Sequence, residues 1–156
     1  MNDRDNVNIR EVLQVRSTYI ETIRLIGFLG KRLEDQNELF PMLKSRMHEI
    51  PEKLSDKPCL TILPAGLAPF VGVEVTENDD VPEGMTSCTI PADEYMVFRF
   101  ETKHIGSFWE RICSEENQAY YGIDLAKPRF EMFTSELEAE GVVEWYIPRR
   151  EDRKSV

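Results

Sequence analysis

The chain has 156 residues, 41% of them hydrophobic and 31% charged, and its net charge is −10. That length and composition suit one folded domain and exclude a disordered chain, and no apolar run approaches the roughly 20 residues that cross a bilayer. The negative charge disfavours direct nucleic-acid binding, because affinity for DNA comes from neutralising phosphates with Lys and Arg.

The start, MNDRDNVNIREV, is polar and acidic, unlike a secretory signal, so cytoplasm is the expected location. RSTYIETIRLIGFLGKR, Arg16 to Arg32, is rich in β-branched and aromatic residues and predicts a long or broken strand. Gly27 and Gly30 precede Lys31 without P-loop spacing. Glycines inside a strand mark a bulge or a close backbone approach. In EDQNELFPMLKSRMHEI, Leu39, Phe40, Leu43, Met47 and Ile50 recur at helical spacing and define one face. Asn37 is the expected cap, Pro41 fits the first turn, and Pro51 stops the helix.

PCLTILP and PFVGVEVT are strands, the second with Val71, Val73 and Val75 on one side and Phe70, Gly72 and Glu74 on the other. The polar loop ENDDVPEG follows. MTSCTIPADEYMVFRFE holds two strands, the stronger from Glu94 to Glu101. HIGSFWERICSEEN is helical, with Phe108, Trp109, Ile112 and Cys113 on one face, and Tyr120, Tyr121 and Gly122 fall in a connection. RFEMFT and VVEWYIP are strands around the loop SELEAEG. The order is strand, helix, strand, strand, twice over, with an extra lead-in strand in the second copy. Two such units build an antiparallel sheet with one helix from each on one face, an α+β architecture.

The chemistry is sparse. Cys59, Cys88 and Cys113 are far apart and odd in number, which argues against a disulfide framework, and His48 and His104 lack metal-ligand spacing. No metal or cofactor is expected, and no nucleophile motif is present. RREDRK, Arg149 to Lys154, mixes acids into the one basic cluster and reads as a solvated tail.

Glu131 stands out. Along RFEMF, Arg129, Glu131 and Phe133 share one face and Phe130 and Met132 the other; along VVEWYI, Val142, Glu144 and Tyr146 oppose Val143, Trp145 and Ile147. With Phe130, Met132, Val143 and Ile147 under the helices, Glu131, Phe133 and Tyr146 point the other way, and Glu131 and Tyr146 converge if the strands are neighbours. A carboxylate walled by rings suits a lipophilic cation, since each ring face contributes about 0.5–2 kcal/mol. Such a cation also removes the cost of burying an unpaired acid. Read as structure alone, the same Glu131 faces water or pairs with Arg129 or Arg99. On that reading Trp109 is core, Tyr95 ends a core strand, and Tyr120 and Tyr121 pin a loop.

In that order, VPEGMTSCTIPADEYMVFRFE, FWERI, PRFEMF and VEWYIPRR, together with VGVEV at Val71 to Val75, resemble the GyrI-like small-molecule-binding domains. These also serve as effector-binding domains of bacterial AraC- and MerR-type transcription activators. The resemblance divides the chain into an extension at 1–14, a domain at 15–150 and a charged tail at 151–156. It implies two strand–helix–strand–strand units in a curved sheet with a ligand cleft between them. It places Glu131 at the pocket base, facing cationic ligands, and Tyr146 on the same pocket; Tyr95, Trp109 and Phe133 are the other lining residues expected for a binding cleft. Phe133 stands where the family usually has Tyr, so one hydroxyl is lost. With no room for a helix-turn-helix, the expected role is a stand-alone sensor or drug-sequestering protein for a hydrophobic cation. Two alternatives accompany it. One is a hydrolase of electrophilic small molecules using Glu131 as general acid or base. The other is a protein-interaction module of the gyrase-inhibitor type.

Overall fold

The computed structural model describes residues 12–64, 67–76 and 80–150. Most of the expected extension (1–11), the expected tail (151–156, with most of the basic cluster) and residues 77–79 of the polar loop lie outside the described residues.

The first strand segment breaks at Glu21 and Thr22 into β1 (Gln14–Ile20) and β2 (Ile23–Leu29). Then come α1 (Gln36–Arg46), β3 (Cys59–Leu63), β4 (Ala68–Glu74), β5 (Thr86–Ile90) and β6 (Asp93–Glu101). The second half continues with α2 (Ile105–Ser107), which runs into a π-helical turn (Phe108–Ile112), then α3 (Glu115–Tyr121), β7 (Arg129–Met132), α4 (Ser135–Glu140) and β8 (Val142–Pro148). The eight strands form one antiparallel sheet in the order β1-β6-β8-β7-β3-β4-β2-β5.

That order matches itself when the halves are exchanged: β1 with β5, β6 with β2, β8 with β4, β7 with β3. A pseudo-twofold therefore runs between β7 and β3. Both copies carry a lead-in strand, not the second alone, because the break at Glu21 and Thr22 supplies one to the first. The lead-in strands are also exchanged, β1 pairing with β6 and β5 with β2.

Short connections bend the sheet. Only Pro91 and Ala92 join β5 to β6, yet these strands stand six places apart. Laid flat, six places would span about 29 Å, whereas three residue steps reach at most about 11 Å. The sheet therefore curls. Leu25, Phe70, Ile90, Tyr95 and Phe130, from five strands, meet in one buried cluster inside the curl. On the other face Ile26, Phe28, Val71, Val73, Phe98 and Trp145 join Leu39 and Leu43 of α1 and Phe108 and Ile112 of the π turn. The alternation in β4 thus holds, its valines toward the helices and Phe70 toward the inside.

The helices differ in detail from the sequence reading. A 3-10 turn at Leu33–Asp35 precedes α1, so Asn37 is its second residue rather than its cap, and Pro41 sits inside it. The Asp35 carboxylate instead accepts from the backbone N–H of Lys31 and Arg32, at 2.8 and 3.0 Å. Tyr120 and Tyr121 belong to α3, which ends at Gly122 in the left-handed region. SELEAEG folds as α4, capped by Thr134 and closed by left-handed Gly141. Its six residues are too few to show a helical hydrophobic period.

Candidate functional site

On the helix face of the sheet, two helical elements flank its centre. There α1 covers β2 and β4. The π turn covers β6 and β8, through Phe108 on Phe98 and Phe100 and through Trp109 on Trp145. Between them runs β7, with Glu131 toward the helix side. Its cross-strand partners are Leu60 on β3 and Trp145 on β8. The indole N–H of Trp145 is itself buried, with no hydrogen-bond partner among the described residues. Glu131 is 5% exposed and has no hydrogen bond or ion pair among the described residues. Burial alone pushes its pKa up to about 7.

Glu144, on the neighbouring strand and the opposite face, shows what pairing does. Burial pushes its pKa up too, but Arg16 and Arg99 donate to it at 3.3 and 3.1 Å, and the net direction is down. Arg99 also binds Glu140 at 2.6 Å, so it is engaged away from Glu131. Arg129 shares the face of Glu131 but lays its guanidinium over the Trp109 ring, 5.1 Å from the centroid. Neither arginine expected to neutralise Glu131 does so.

Two hollows open along this face. The larger, about 400 Å³, is lined by Glu131, Phe133, Ile105, Val143 and, from α4, Leu137 and Glu138. The smaller, about 210 Å³, is lined by Arg129, Trp109, Ile62, Leu33, Leu67 and Cys113. One wall of the larger hollow hangs on a cap: the Thr134 hydroxyl oxygen accepts from the Leu137 N–H at 3.1 Å. Thr134→Ala is expected to cost about 1 kcal/mol in urea unfolding and to weaken whatever binds beside Leu137. Unchanged stability would remove the cap from that role.

The structure divides the expected lining residues. Glu131 and Phe133 share the larger hollow, and Trp109 lines its neighbour. Tyr146 and Tyr95 do not join them. Glu131 pairs with Trp145 and Phe130 with Tyr146, so Tyr146 lies inside the curl, its ring stacked on Phe130 at 4.7 Å. Tyr95 packs edge-on to the same Phe130 at 5.3 Å and donates its hydroxyl to Pro91 O. The expected convergence of Glu131 and Tyr146 is therefore not found, and Trp145 is the last-strand aromatic beside the acid. Period-two alternation in VVEWYI places Trp145 opposite Tyr146; only the pairing register tells which of the two meets Glu131.

The family model of the integron-associated effector-binding proteins (Cass2) matches residues 43–148, more than half of the chain. The chain belongs to this family. Solved structures agree on the fold. The integron cassette protein from the mobile metagenome of Vibrio cholerae aligns at TM-score 0.53 and 13% identity, over 89% of this chain and 98% of that one. The protein SAV2435, bound to tetraphenylphosphonium, aligns at 0.57 and 16%, over 88% and 94%. EcmrR, in a complex with DNA, aligns at 0.65 and 12%, over 96% of this chain and 65% of that one. At such identities the likeness is one of fold. No curated protein sequence matches the chain.

In this effector-binding fold the charge on Glu131 has a measurable cost. Its folded-state pKa of about 7 lies above the usual 4.5, so between those values the folded chain holds a proton that the unfolded chain releases. Its contribution to stability is full below about pH 4.5 and is lost as pH rises through about 7. Glu131→Gln removes that loss. From about pH 5 to 8 the variant should gain on wild type by up to about 3 kcal/mol in urea unfolding. Parallel pH profiles for the two chains would rule out a buried titrating carboxyl.

Proposed function

We propose that the chain binds a hydrophobic cation in the larger hollow, with Glu131 as counter-charge. One observation carries this reading: a buried carboxyl, flanked across both strands by apolar side chains, that no arginine among the described residues neutralises and that opens into a cavity. An acid in that setting gains most from a ligand that brings its own positive charge and little water. Phe133 supplies a ring wall, held edge-on by Phe40 at 5.3 Å, and ring faces attract cations. The volume, about 400 Å³, falls within the roughly 300–1,000 Å³ of small-molecule sites. The tetraphenylphosphonium held by SAV2435, which shares the fold, supports the same ligand class here. The role that follows is sensing or sequestration of such compounds, and the net charge of −10 sets direct DNA contact aside.

The test is a titration of the chain with tetraphenylphosphonium and with triphenylphosphine oxide, a neutral compound of similar rings. Saturable binding of the cation at least about tenfold tighter than the oxide supports the reading, and equal affinities overturn it. A pKa near 7 also suits proton transfer, which favours a second reading, hydrolysis of a bound electrophile. Turnover by wild type and none by Glu131→Gln would establish it.

A further inference from the structure

The smaller hollow has a charge logic of its own. Arg129 is 9% exposed. Among the described residues its fully enclosed Nε has no hydrogen-bond partner and the side chain has no ion pair. Its guanidinium lies over the Trp109 ring. Glu131 is two residues away on the same strand face, about 6.6 Å along the strand, yet the two do not pair. The thiol of Cys113, also in the lining, is held neutral, its pKa pushed up to about 12 by burial. The remaining lining, Leu33, Ile62 and Leu67, is apolar.

We propose that this hollow is a second, independent binding site for a compact organic carboxylate, held by the guanidinium of Arg129 against the Trp109 ring. Glu131 can escape an unfavourable charge by taking up a proton. Arg129 cannot lose one, since a guanidinium stays protonated in proteins. Beyond the Trp109 ring, its burial is therefore relieved by an anion or by water in the hollow. A carboxylate fits the fork with two parallel N–H···O bonds, a geometry that a halide or a neutral alcohol does not match. The volume, about 210 Å³, lies below the usual range for drug-sized ligands and suits a one-ring or short branched acid. Trp109 touches both Arg129 and Trp145, the partner of Glu131, and so stands between the two hollows. One face of the sheet thus offers adjacent sites of opposite charge.

The experiment uses the two tryptophans, Trp109 and Trp145, as reporters, since the chain has no others. Their emission is followed on adding benzoate or its neutral counterpart benzyl alcohol to wild type, Arg129→Gln, Arg129→Lys and Glu131→Gln. Wild type should saturate with benzoate and bind benzyl alcohol at least about tenfold more weakly. Arg129→Gln should lose at least about tenfold in benzoate affinity, with Arg129→Lys in between, because an ammonium keeps the charge but not the fork. Glu131→Gln should keep benzoate binding, and Arg129→Gln should keep tetraphenylphosphonium binding, so the two sites succeed or fail separately. Equal affinities for benzoate and benzyl alcohol, an unaffected Arg129→Gln, or no saturation by about 10 mM benzoate overturns the proposal. If Arg129→Gln does not fold, the Arg129 Nε–H resonance of wild type decides. A shift with benzoate and none with benzyl alcohol supports the site; no shift with benzoate overturns it.

Discussion

Glu131→Gln lowers the affinity of the chain for tetraphenylphosphonium about thirtyfold at pH 8, the equivalent of about 2 kcal/mol. The affinity for triphenylphosphine oxide stays within about twofold, a difference of a few tenths of a kcal/mol. The asymmetry follows from what the substitution changes. Gln keeps the shape of Glu131 between Leu60 and Trp145 and removes only the charge, so ring contacts survive and the Coulomb attraction does not. At about 6 Å and an effective dielectric of about 20, that attraction is about 3 kcal/mol before desolvation of the ligand is set against it. The pH dependence is the sharper signature. In the free chain Glu131 titrates at about 7, and the cation favours the ionised form. Wild-type affinity should therefore be highest above about pH 7 and fall below it by up to the same thirtyfold or so, with proton release on binding. The variant should show a flat profile. Calorimetry in two buffers of different ionisation enthalpy reads both effects, and identical profiles for the two chains would exclude Glu131 as the counter-charge.

Gly27→Val should leave no cooperatively folded chain, and Gly27→Ala should cost more than about 3 kcal/mol. Gly27 on β2 stands directly across from Gly72 on β4. A Cβ on Gly27 would lie 2.0 Å from the carbonyl oxygen of Val71 and 2.4 Å from the Cα of Gly72. Those are backbone atoms, which cannot swing aside as a side chain can. The two strands approach this closely while Val71 and Ile26 beside them are fully buried in the core, so separating them would open that core. Gly106, in α2, is the control: nothing lies within 4 Å of its added Cβ. Gly106→Ala should be neutral, or stabilising by about 0.5–1 kcal/mol through helix propensity. Thermal unfolding of the three variants checks the ranking, and a Gly27→Ala chain as stable as Gly106→Ala would sink the close-approach account.

Part of the site is legible in the amino-acid sequence. The glutamate in PRFEMF is conspicuous because a short aromatic strand has little reason to hold an acid, and the motif order identifies the effector-binding resemblance. Its company is not legible there. Glu131 and Tyr146 lie on strands whose relative register is set by the connection between them. That connection reads as a loop, whereas it folds as α4 with a Thr134 cap and a Gly141 stop. A one-residue change in register moves every side chain of a strand to the other face, so the sequence cannot choose between Tyr146 and Trp145 as neighbour of the acid. The same limit applies to the arginines. Composition offers Arg99 and Arg129 as partners for Glu131, but Arg99 meets Glu140 and Glu144, and Arg129 meets Trp109.

Local pattern is sufficient wherever the physics is local. Period-two alternation separates the valines of β4 from Phe70, helical spacing finds the buried face of α1, and strand glycines announce a close approach at Gly27. Long-range arrangement is decided in three dimensions. The exchange of lead-in strands and the curl that fills the inner face with Tyr95, Phe130 and Tyr146 depend on contacts between residues far apart in the chain. So does the pKa of Glu131 near 7, which comes from its burial between strands whose residues lie far apart in the chain. A residue's type settles which charge it can carry; the strands on either side settle whether that charge is solvated, paired or left waiting.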